Sequence, residues 1–296
     1  MRLIPTGKQL EYLVCLAREN HFSKAADLCN VTPSTLSSGI KDLEALLGIP
    51  LAERTKRSVQ MTSLGLEIAN RAQLILRDSQ DIMDLAASNR NPLEGDLRLG
   101  VIPTVGPYLM PRVLSRLHNR YPKLKLYLRE DQTDEVLELL RNGELDAAVV
   151  ALPYDTEGFV TKHMFEDPFQ LACIEGDEIA EAGMINQKDL DINRLLLLEE
   201  GHCLRGHALE ACSLENRPKR KAFESTSLYT LVQMVSYGMG ITLLPKLAIE
   251  DNIVQGTNIK LKKLAGNPSR KIGLAWRVSS PRGDEFKLLA DELCPD

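Results

Sequence analysis

Near the start of the chain, apolar side chains recur with the period of a helix. Between Leu10 and Arg18 they predict an amphipathic helix that ends before Asn20, and they are Leu10, Leu13, Val14, Leu16 and Ala17. A second short helix is predicted from Ser23, whose hydroxyl suits the N-cap position, and a tight turn is predicted at residues 30–31. This part of the chain therefore predicts two short helices and a turn.

A third helix is predicted from Pro33 to about Leu47. Thr32 suits its N-cap, and a proline at the first helical position lacks only an N–H that no helical bond uses. The predicted buried face of this helix consists of Leu36, Ile40, Leu43 and Leu47. Its opposite face is small and polar, and consists of Ser34, Thr35, Ser37, Ser38 and Lys41.

Two short helices joined by a tight turn, the second with small polar residues outward, form a helix-turn-helix pattern. Small side chains let a helix enter the major groove, where hydroxyls and a lysine reach base edges and phosphates. We therefore predict a DNA-binding helix-turn-helix at about Phe22 to Lys41. The residues predicted to contact DNA are Thr32, Pro33, Ser34, Thr35, Ser37, Ser38 and Lys41, with Arg54, Lys56 and Arg57 of a hairpin-like wing. A small helical bundle with a solvated charge run is the alternative.

From Ser63 to about Ala87, apolar or small residues recur at steps of three or four, close to a heptad seam. The residues of this seam are Leu64, Ile68, Ala72, Ile75, Ser79, Ile82 and Ala86. One helix cannot bury such a stripe alone, so we predict pairing with a second copy of the chain. Packing on its own domain is the alternative. The polar stretch from Ser88 to Asp96, with its proline and glycine, predicts a hinge.

From Leu97 onward, short apolar strands alternate with helical patterns, which predicts a mostly parallel sheet. Ligands bind at the carboxyl ends of such strands, where Thr104 and Thr133 both fall, next to predicted helix N-termini. For each threonine by itself, we predict the N-capping of a helix rather than a ligand contact.

The alternation repeats between about Asp167 and Ala265, which predicts a second lobe. Its predicted elements are strands at residues 171–177, 193–200 and 240–245 and a helix at residues 227–238. The last strand, at residues 270–278, and the helix from Arg282 to Leu293 are predicted to return to the first lobe.

Together these elements predict a multidomain chain of the α+β and α/β classes. A winged helix-turn-helix is predicted at residues 1–62, a linker helix with a hinge at 63–95, and a two-lobed α/β regulatory domain at 96–296. Lobe I is predicted at about 96–166 plus 267–296, and lobe II at about 167–266.

Composition narrows the picture. The chain has 296 residues, a net charge of −5 and a pI of about 5.7, so any affinity for DNA must be local to part of its surface. No apolar run approaches the roughly 20 residues that span a bilayer, and the start lacks the pattern of a signal peptide. The 6 cysteines are too dispersed for a disulfide framework. We therefore predict a cytoplasmic protein with no membrane partner, in which any disulfide is transient and redox-sensing.

The strongest candidate for chemistry is Cys203, which follows His202 and precedes Arg205 and His207, with Cys212 nine residues on. Neighbouring cations favour the thiolate, which is the reactive form of cysteine. On a continuous helix the two cysteines would lie about 13 Å apart, whereas a disulfide needs Cα atoms roughly 4.4–6.8 Å apart. Oxidation would therefore have to unwind such a helix. The pair is a candidate redox switch in which Cys203 attacks and Cys212 resolves, the alternative being two unrelated small residues in a core.

Two sets of motifs carry a resemblance to a known family. The pattern Ala25-Ala26, Val31-Thr32, Leu36-Ser37, Ile40, Leu43-Glu44, Leu47-Gly48 and Arg54 resembles the signature of the LysR-type transcriptional regulators. The segments EEGHCLRGHALEAC, PTVGPYLMP, EDQT and GITLLP resemble the hydrogen-peroxide-sensing members of that family, and this resemblance extends over essentially the whole chain. The two-lobed domain is similar to the type II periplasmic-binding-protein fold.

The resemblance implies a homodimeric or homotetrameric activator of antioxidant genes that binds double-stranded promoter DNA and RNA polymerase. The residues that it implies for peroxide binding are Thr104, Thr133, His202 and Arg270. Cys203 would be oxidised to a sulfenic acid and condense with Cys212, and a glutathione- or glutaredoxin-type exchange would reset the disulfide. No cofactor and no enzymatic turnover are implied.

Gly206 departs from the resemblance, which leads us to expect an acidic residue after Leu-Arg. The glycine should make the segment more mobile, and it puts a carboxylate proton relay at that position in doubt. Three other functions stay open: a regulator that answers a small organic effector, a thiol peroxidase, and a metal sensor. The metal sensor would use His202, Cys203, His207 and Cys212 as ligands. The basic run at residues 217–221 is predicted to be a solvated loop rather than an anion site.

Overall fold

The computed structural model describes residues 4–54, 59–87, 92–181, 183–199, 201–211, 224–225 and 227–295. Contacts divide the chain into two compact units, residues 1–89 and residues 90–296. The finer boundaries predicted from the sequence, at residue 62 between the DNA-binding domain and the linker helix, at residue 95 before the regulatory domain and at residue 166 between its lobes, stay predictions.

The first unit has the predicted order of elements. Three short helices, a small antiparallel hairpin and a long helix follow one another. They are α1 (Gly7–Glu19), α2 (Phe22–Leu28), α3 (Pro33–Leu47), β1 (Ala52–Arg54), β2 (Val59–Met61) and α4 (Ser63–Ala87). This order confirms the predicted winged helix-turn-helix followed by a linker helix.

Two details of the predicted helices are wrong. The N-cap of α2 is His21 and not Ser23, because His21 Nδ1 accepts a hydrogen bond from the Lys24 N–H at 3.4 Å. Ser23 therefore lies inside the helix. Leu47, which was predicted to be buried, is 37% exposed because it is the last residue of α3.

Helix α3 is fixed at both ends and along its apolar face. Thr32 caps its N-terminus as predicted and accepts a hydrogen bond from the Thr35 N–H at 3.2 Å, while Gly48 ends it with a left-handed φ of 72°. The fully buried side chains between the three short helices are Leu13, Leu16, Ala25, Ala26, Leu36, Ile40 and Leu43. Burial of each leucine or isoleucine contributes about 1.5–3 kcal/mol. This packing leaves the polar face of α3 exposed.

The apolar stripe of α4 divides into two parts. Close to its N-terminus α4 packs on α1, and Ala69 and Ala72 are buried there. A Cβ at Gly65 would lie 2.1 Å from the Leu51 carbonyl oxygen, so the backbones approach closely at this point. The exposed apolar side chains of α4 are Leu64, Leu66, Leu74, Ile75, Ile82, Met83 and Leu85. Packing within its own unit therefore explains the burial of Ala72. Much of the rest of the predicted seam, including Leu64, Ile75 and Ile82, is exposed.

The second unit alternates strands and helices. Its strands are β3 (Gly95–Val101), β4 (Leu124–Glu130), β5 (Ala147–Leu152), β6 (Phe159–Ile174), β7 (Leu197–Leu198), β8 (Glu224–Ser225), β9 (Thr242–Pro245), β10 (Ile259–Lys263) and β11 (Ser269–Arg277). Its helices are α5 (Gly106–Arg120), α6 (Thr133–Asn142), α7 (Glu178–Glu181), α8 (Cys203–Ala211), α9 (Leu228–Ser236), α10 (Lys246–Glu250) and α11 (Gly283–Glu292).

The main sheet has the order β10-β6-β11-β5-β3-β4, with β9 also paired to β6. Only β3 pairs in parallel, with β4 and with β5, and the other pairs of this sheet are antiparallel. The predicted mostly parallel sheet is therefore wrong, because β11 inserts between β5 and β6 and runs antiparallel to both. The strand predicted at residues 193–200 is also shorter, since a 3₁₀ turn occupies Ile192–Arg194, Leu195 forms only an isolated bridge with Ile241, and the strand itself is β7.

Two separate hydrophobic cores give this unit its two lobes, here named lobe I and lobe II. Strands β3 to β5 and helices α5, α6 and α11 bury side chains in lobe I, while α8, α9 and β9 do so in lobe II. Strand β6 contributes side chains to both cores, whereas those of β11 lie in lobe I. Phe286 and Leu289 of α11 lie in lobe I, so the predicted return of the C-terminal helix is confirmed. Among the described residues, no helix combines the length and the apolar character that crossing a bilayer requires.

Candidate functional site

Cys203 is the first residue of α8, and this helix lies between the two lobes. Leu204, Ala208 and Leu209 are buried in the core of lobe II, whereas the half-buried Cys203 packs against the core of lobe I. His207 lies one helical turn after Cys203, so the two side chains share a face of α8. The helix therefore points its cysteine away from the lobe to which it is anchored.

The ring of His207 links α8 to lobe I. Its Nε2 lies 2.9 Å from the Pro153 carbonyl oxygen, and the residue is only 8% exposed. Its Nδ1 and the Thr133 Oγ1 are buried, and neither has a hydrogen-bond partner of ordinary geometry among the described residues. Both side chains nevertheless lie close enough to the Cys203 thiol to lower its pKa.

These contacts shift the ionisation of both partners. Burial by itself would raise the pKa of the Cys203 thiol, but hydrogen bonds from His207 and Thr133 and the charge of Arg270 lower it below its ordinary value. Burial lowers the pKa of His207, yet its contacts with Cys203 and with the Pro153 carbonyl raise it overall. Both shifts move the pair toward a thiolate beside a protonated imidazole.

Arg270 is held in one orientation by buried partners. Its Nε donates to Asp167 Oδ2 at 3.0 Å, Nη1 donates to Thr104 Oγ1 at 2.8 Å, and Nη2 donates to the Thr104 carbonyl at 2.9 Å. Arg270 and Asp167 are each 1% exposed and Thr104 is 3% exposed. A guanidinium fixed in this way presents its charge to Cys203 without rearrangement.

The structure thus places Thr133 and Arg270 beside the thiol and joins Thr104 to Arg270, while His202 is placed differently. His202 is 9% exposed and lines a cleft of about 670 Å³ together with Thr104, and burial lowers its pKa. Its Nε2 lies 3.9 Å from Glu199 Oε1. His202 therefore lines this cleft, while His207 acts on the ionisation of the thiol.

The predicted N-capping role of the two threonines is wrong. The N-cap residues of α5 and α6 are Val105 and Gln132, and neither makes a side-chain capping bond. Thr104 instead accepts a hydrogen bond from Arg270, and Thr133 is the first residue of α6 with its hydroxyl directed at Cys203. Both threonines are therefore part of the site.

Several predicted site residues lie elsewhere or outside the described residues. Cys212, Lys56, Arg57 and the basic run at residues 217–221 lie outside them, and Arg54 ends β1. The predicted DNA-contacting residues of α3 and its cap are exposed, apart from the half-buried Ser37. No group of three or more possible metal ligands occurs among the described residues, and the fourth member of the proposed metal set, Cys212, is not one of them.

The sequence did not point to three residues of the site, which are Asp134, Tyr154 and Asp167. Asp167 holds Arg270, and Tyr154 Oη donates to Asp134 Oδ1 at 2.6 Å beside Cys203. Burial and this carboxylate raise the pKa of Tyr154, which keeps the phenol protonated. These residues follow no motif, because their roles arise only from the folding of distant strands and helices.

Family comparisons cover both units. The family model "Bacterial regulatory helix-turn-helix protein, lysR family" matches residues 8–66, and "LysR substrate binding domain" matches residues 90–294. The HTH-type transcriptional regulator EstR of Acinetobacter baylyi is 41% identical over 294 residues, covering 99% of this chain and 97% of its own. The DNA-binding transcriptional dual regulator OxyR of Escherichia coli is 39% identical over 286 residues, covering 97% of this chain and 94% of its own.

Solved structures give the same result. A full-length OxyR mutant from Pseudomonas aeruginosa has a TM-score of 0.77 at 36% identity, with 98% of each chain covered. A hydrogen-peroxide-bound OxyR mutant of Corynebacterium glutamicum has a TM-score of 0.67 at 30% identity, covering 99% of this chain and 92% of that chain. This chain therefore belongs to the LysR family of bacterial regulatory helix-turn-helix proteins.

Proposed function

We propose that this protein is a cytoplasmic transcription regulator that senses hydrogen peroxide through Cys203. The observation that carries the proposal is the environment of this thiol, where Thr133, His207 and Arg270 together lower the pKa of Cys203 despite its burial. The other described cysteines, Cys15, Cys29, Cys173 and Cys294, all have raised pKa values because they are buried. The similarity to OxyR proteins, one of them peroxide-bound, supports the same function.

The chemistry begins with attack of the Cys203 thiolate on one oxygen of hydrogen peroxide. A sulfur–oxygen bond forms while the oxygen–oxygen bond breaks, and the departing hydroxide takes a proton and leaves as water. Donors that are fixed in advance stabilise the charge that develops on the leaving oxygen, most strongly where water is excluded. We propose that the donors are Thr104, Thr133, His202 and Arg270.

The resulting sulfenic acid condenses with the thiol of Cys212, which releases water and leaves a disulfide. Helix α8 runs from Cys203 to Ala211, and its eight steps of about 1.5 Å separate the ends by about 12 Å. Residue 212 is one peptide unit, about 3.8 Å, further on, so its Cα cannot come within about 8 Å of that of Cys203. A disulfide requires roughly 6.8 Å or less. Helix α8 must therefore unwind before the bond forms.

Unwinding is the step that carries the signal to DNA in this proposal. Because α8 is packed between both lobes, its loss changes how they pack, and the contacts of a homodimer or homotetramer change with them. The helix-turn-helix units then shift on promoter DNA, and RNA polymerase is recruited to antioxidant genes. A glutathione- or glutaredoxin-type thiol exchange restores the reduced state.

The decisive experiment is peptide mapping by mass spectrometry of the anaerobically reduced full-length protein after a stoichiometric pulse of hydrogen peroxide. We expect rapid loss of two hydrogens, located to a crosslink between Cys203 and Cys212. The variant Cys203→Ser should form no crosslink, and Cys212→Ser should stop at the sulfenic acid, which a dimedone-type probe traps. If Cys203 reacts no faster than Cys173, the peroxide-sensing function is wrong.

A second candidate is a regulator that answers a small organic molecule. The cleft of about 670 Å³ has room for such a ligand, and the family model that matches residues 90–294 is a LysR substrate binding domain. This candidate predicts that Cys203→Ser still activates transcription when its ligand is present. The peroxide sensor predicts that this variant is locked in the reduced state.

A further inference from the structure

We propose that His207, and not the adjacent His202, is the base that takes the proton of Cys203 and holds it as a thiolate–imidazolium pair. The inference deepens the proposed function and rests on it for the identity of the oxidant. It assigns a direct chemical role to a side chain that the sequence suggested only as a neighbouring cation.

The hydrogen bond to Pro153 fixes the tautomer of the ring. A carbonyl oxygen can only accept a hydrogen bond, so His207 Nε2, at 2.9 Å from it, carries a hydrogen whether the ring is neutral or charged. In the neutral ring Nδ1 is therefore unprotonated and available as an acceptor. The fold itself thus chooses which nitrogen faces the sulfur.

That nitrogen is buried and has no hydrogen-bond partner of ordinary geometry among the described residues. Leaving a buried polar atom unsatisfied costs about 1–3 kcal/mol. The thiol proton of Cys203 satisfies it, either shared across the contact or transferred to Nδ1. Position i+4 on the helix places the two groups on the same face, one turn apart, where the thiol proton can reach the ring.

The other groups that face Cys203 favour transfer. From β11, the buried Arg270 brings a fixed positive charge that stabilises a thiolate, and from α6 Thr133 brings a hydroxyl donor. Tyr154 stays protonated because it donates to Asp134 at 2.6 Å, so it does not compete for the proton. Arg270 opposes a positive charge on His207, but the contacts of the ring with Cys203 and Pro153 outweigh it.

His202 is in a different situation. Its ring lines the cleft, and burial keeps it neutral near pH 7 because its pKa is lowered. A neutral imidazole in the cleft can bind peroxide but does not create the thiolate. The two histidines therefore divide the work between substrate binding and proton removal.

The proton on His207 also balances the reaction. Attack converts the thiolate and hydrogen peroxide to a sulfenic acid and a hydroxide ion, with two electrons passing from sulfur to the peroxide. The imidazolium supplies the proton that turns this hydroxide into water, and the ring returns to its neutral form. Thiol plus hydrogen peroxide thus yields sulfenic acid plus water.

The test is the pH dependence of Cys203 alkylation by iodoacetamide in the full-length protein, with each cysteine followed separately by peptide mass spectrometry. The variant His207→Gln keeps an N–H donor for the Pro153 carbonyl but removes the titrating ring. We expect its rate at pH 6–7 to fall about tenfold, corresponding to a rise of about one unit in the pKa of Cys203. The matched control His163→Gln, in an exposed histidine of β6, should behave like the wild type.

Superimposable pH profiles of wild type and His207→Gln would overturn the assignment. An equal fall in His202→Gln would overturn it as well, because that result would give both rings the same role. Iodoacetamide contains no peroxide bond, so this readout is independent of the proposed function. A different outcome is that peroxide fails to oxidise Cys203 while the pH profile of His207→Gln still shifts. In that case the proposed peroxide-sensing function is wrong, and the thiolate–imidazolium pair of Cys203 and His207 is supported.

Discussion

The charge of Arg270 is balanced inside the regulatory unit by the carboxylate of Asp167. Their side chains are 0% and 1% exposed; Asp167 Oδ2 accepts a hydrogen bond from Arg270 Nε at 3.0 Å and lies 2.9 Å from Nη2 in an ion pair. It also accepts the Leu247 N–H at 2.9 Å. The variant Asp167→Asn preserves the size of this side chain but removes its charge. Arg270 then keeps a buried positive charge that has lost its counter-ion.

Removing one partner of a buried ion pair costs about 3–5 kcal/mol of stability. For a unit the size of residues 90–296, each kcal/mol lowers the unfolding midpoint by roughly 2–4 °C. We therefore expect the midpoint of Asp167→Asn to fall by roughly 6–20 °C. Cys203 should nevertheless remain reactive, because Arg270 keeps its charge, whereas Arg270→Met should raise the pKa of Cys203 and slow its alkylation.

The single tryptophan of the chain provides the assay. Trp276 lies in β11, is 3% exposed and packs against Phe286 with ring centroids 5.9 Å apart, so its fluorescence follows the unfolding of the regulatory unit. The control is Asp284→Asn, which removes an exposed partner of Lys287 and should leave the midpoint unchanged. A midpoint of Asp167→Asn that matches this control would refute the energetic role of the buried pair.

Three further predictions follow from local features. At pH 7, iodoacetamide should alkylate Cys203 at least tenfold faster than Cys29, since burial raises the pKa of Cys29 to about 12; equal rates in peptide mapping would contradict this. Gly206→Ala should stabilise α8 by about 0.5–1 kcal/mol, because a Cβ there meets no atom within 4 Å. Since α8 must unwind, disulfide formation, followed by quenched-flow mapping, should slow roughly two- to fivefold, and faster formation would contradict this prediction. Gly39→Ala should destabilise the DNA-binding unit by about 1–3 kcal/mol, because its Cβ would lie 2.6 Å from the buried Tyr12 ring; an unchanged urea midpoint by circular dichroism would contradict it.

The first unit was predictable because its signals are local. Thr32 followed by Pro33 marks the start of α3, and apolar residues at helical spacing identify the face that is buried. The error at the start of α2 is local as well, since His21 and Ser23 are both able to cap a helix. The extra exposure of Leu47 depends only on where the helix ends.

The regulatory unit was predictable in its alternation but not in its pairing. No local pattern shows that β11 inserts between β5 and β6, yet this insertion places Arg270 opposite Asp167, which is 103 residues earlier in the chain. The contact between His207 and the Pro153 carbonyl likewise joins segments that are distant in the sequence, so no local pattern predicts it. The motif around Cys203 identified the thiol, whereas the groups that hold and ionise it depend on contacts between distant segments.

The position of Cys203 on α8 links local chemistry to the shape of the regulatory unit. Residues 203 and 207 face lobe I, while Leu204 and Ala208, each one position later, are buried in lobe II. A helix with such a divided surface cannot unwind without releasing contacts on both sides. The attack also leaves the ring of His207 neutral, so its N–H donates to the Pro153 carbonyl less strongly than a charged imidazolium does. The attack that consumes peroxide therefore weakens the contact between α8 and lobe I. The resolving step then requires this helix to unwind.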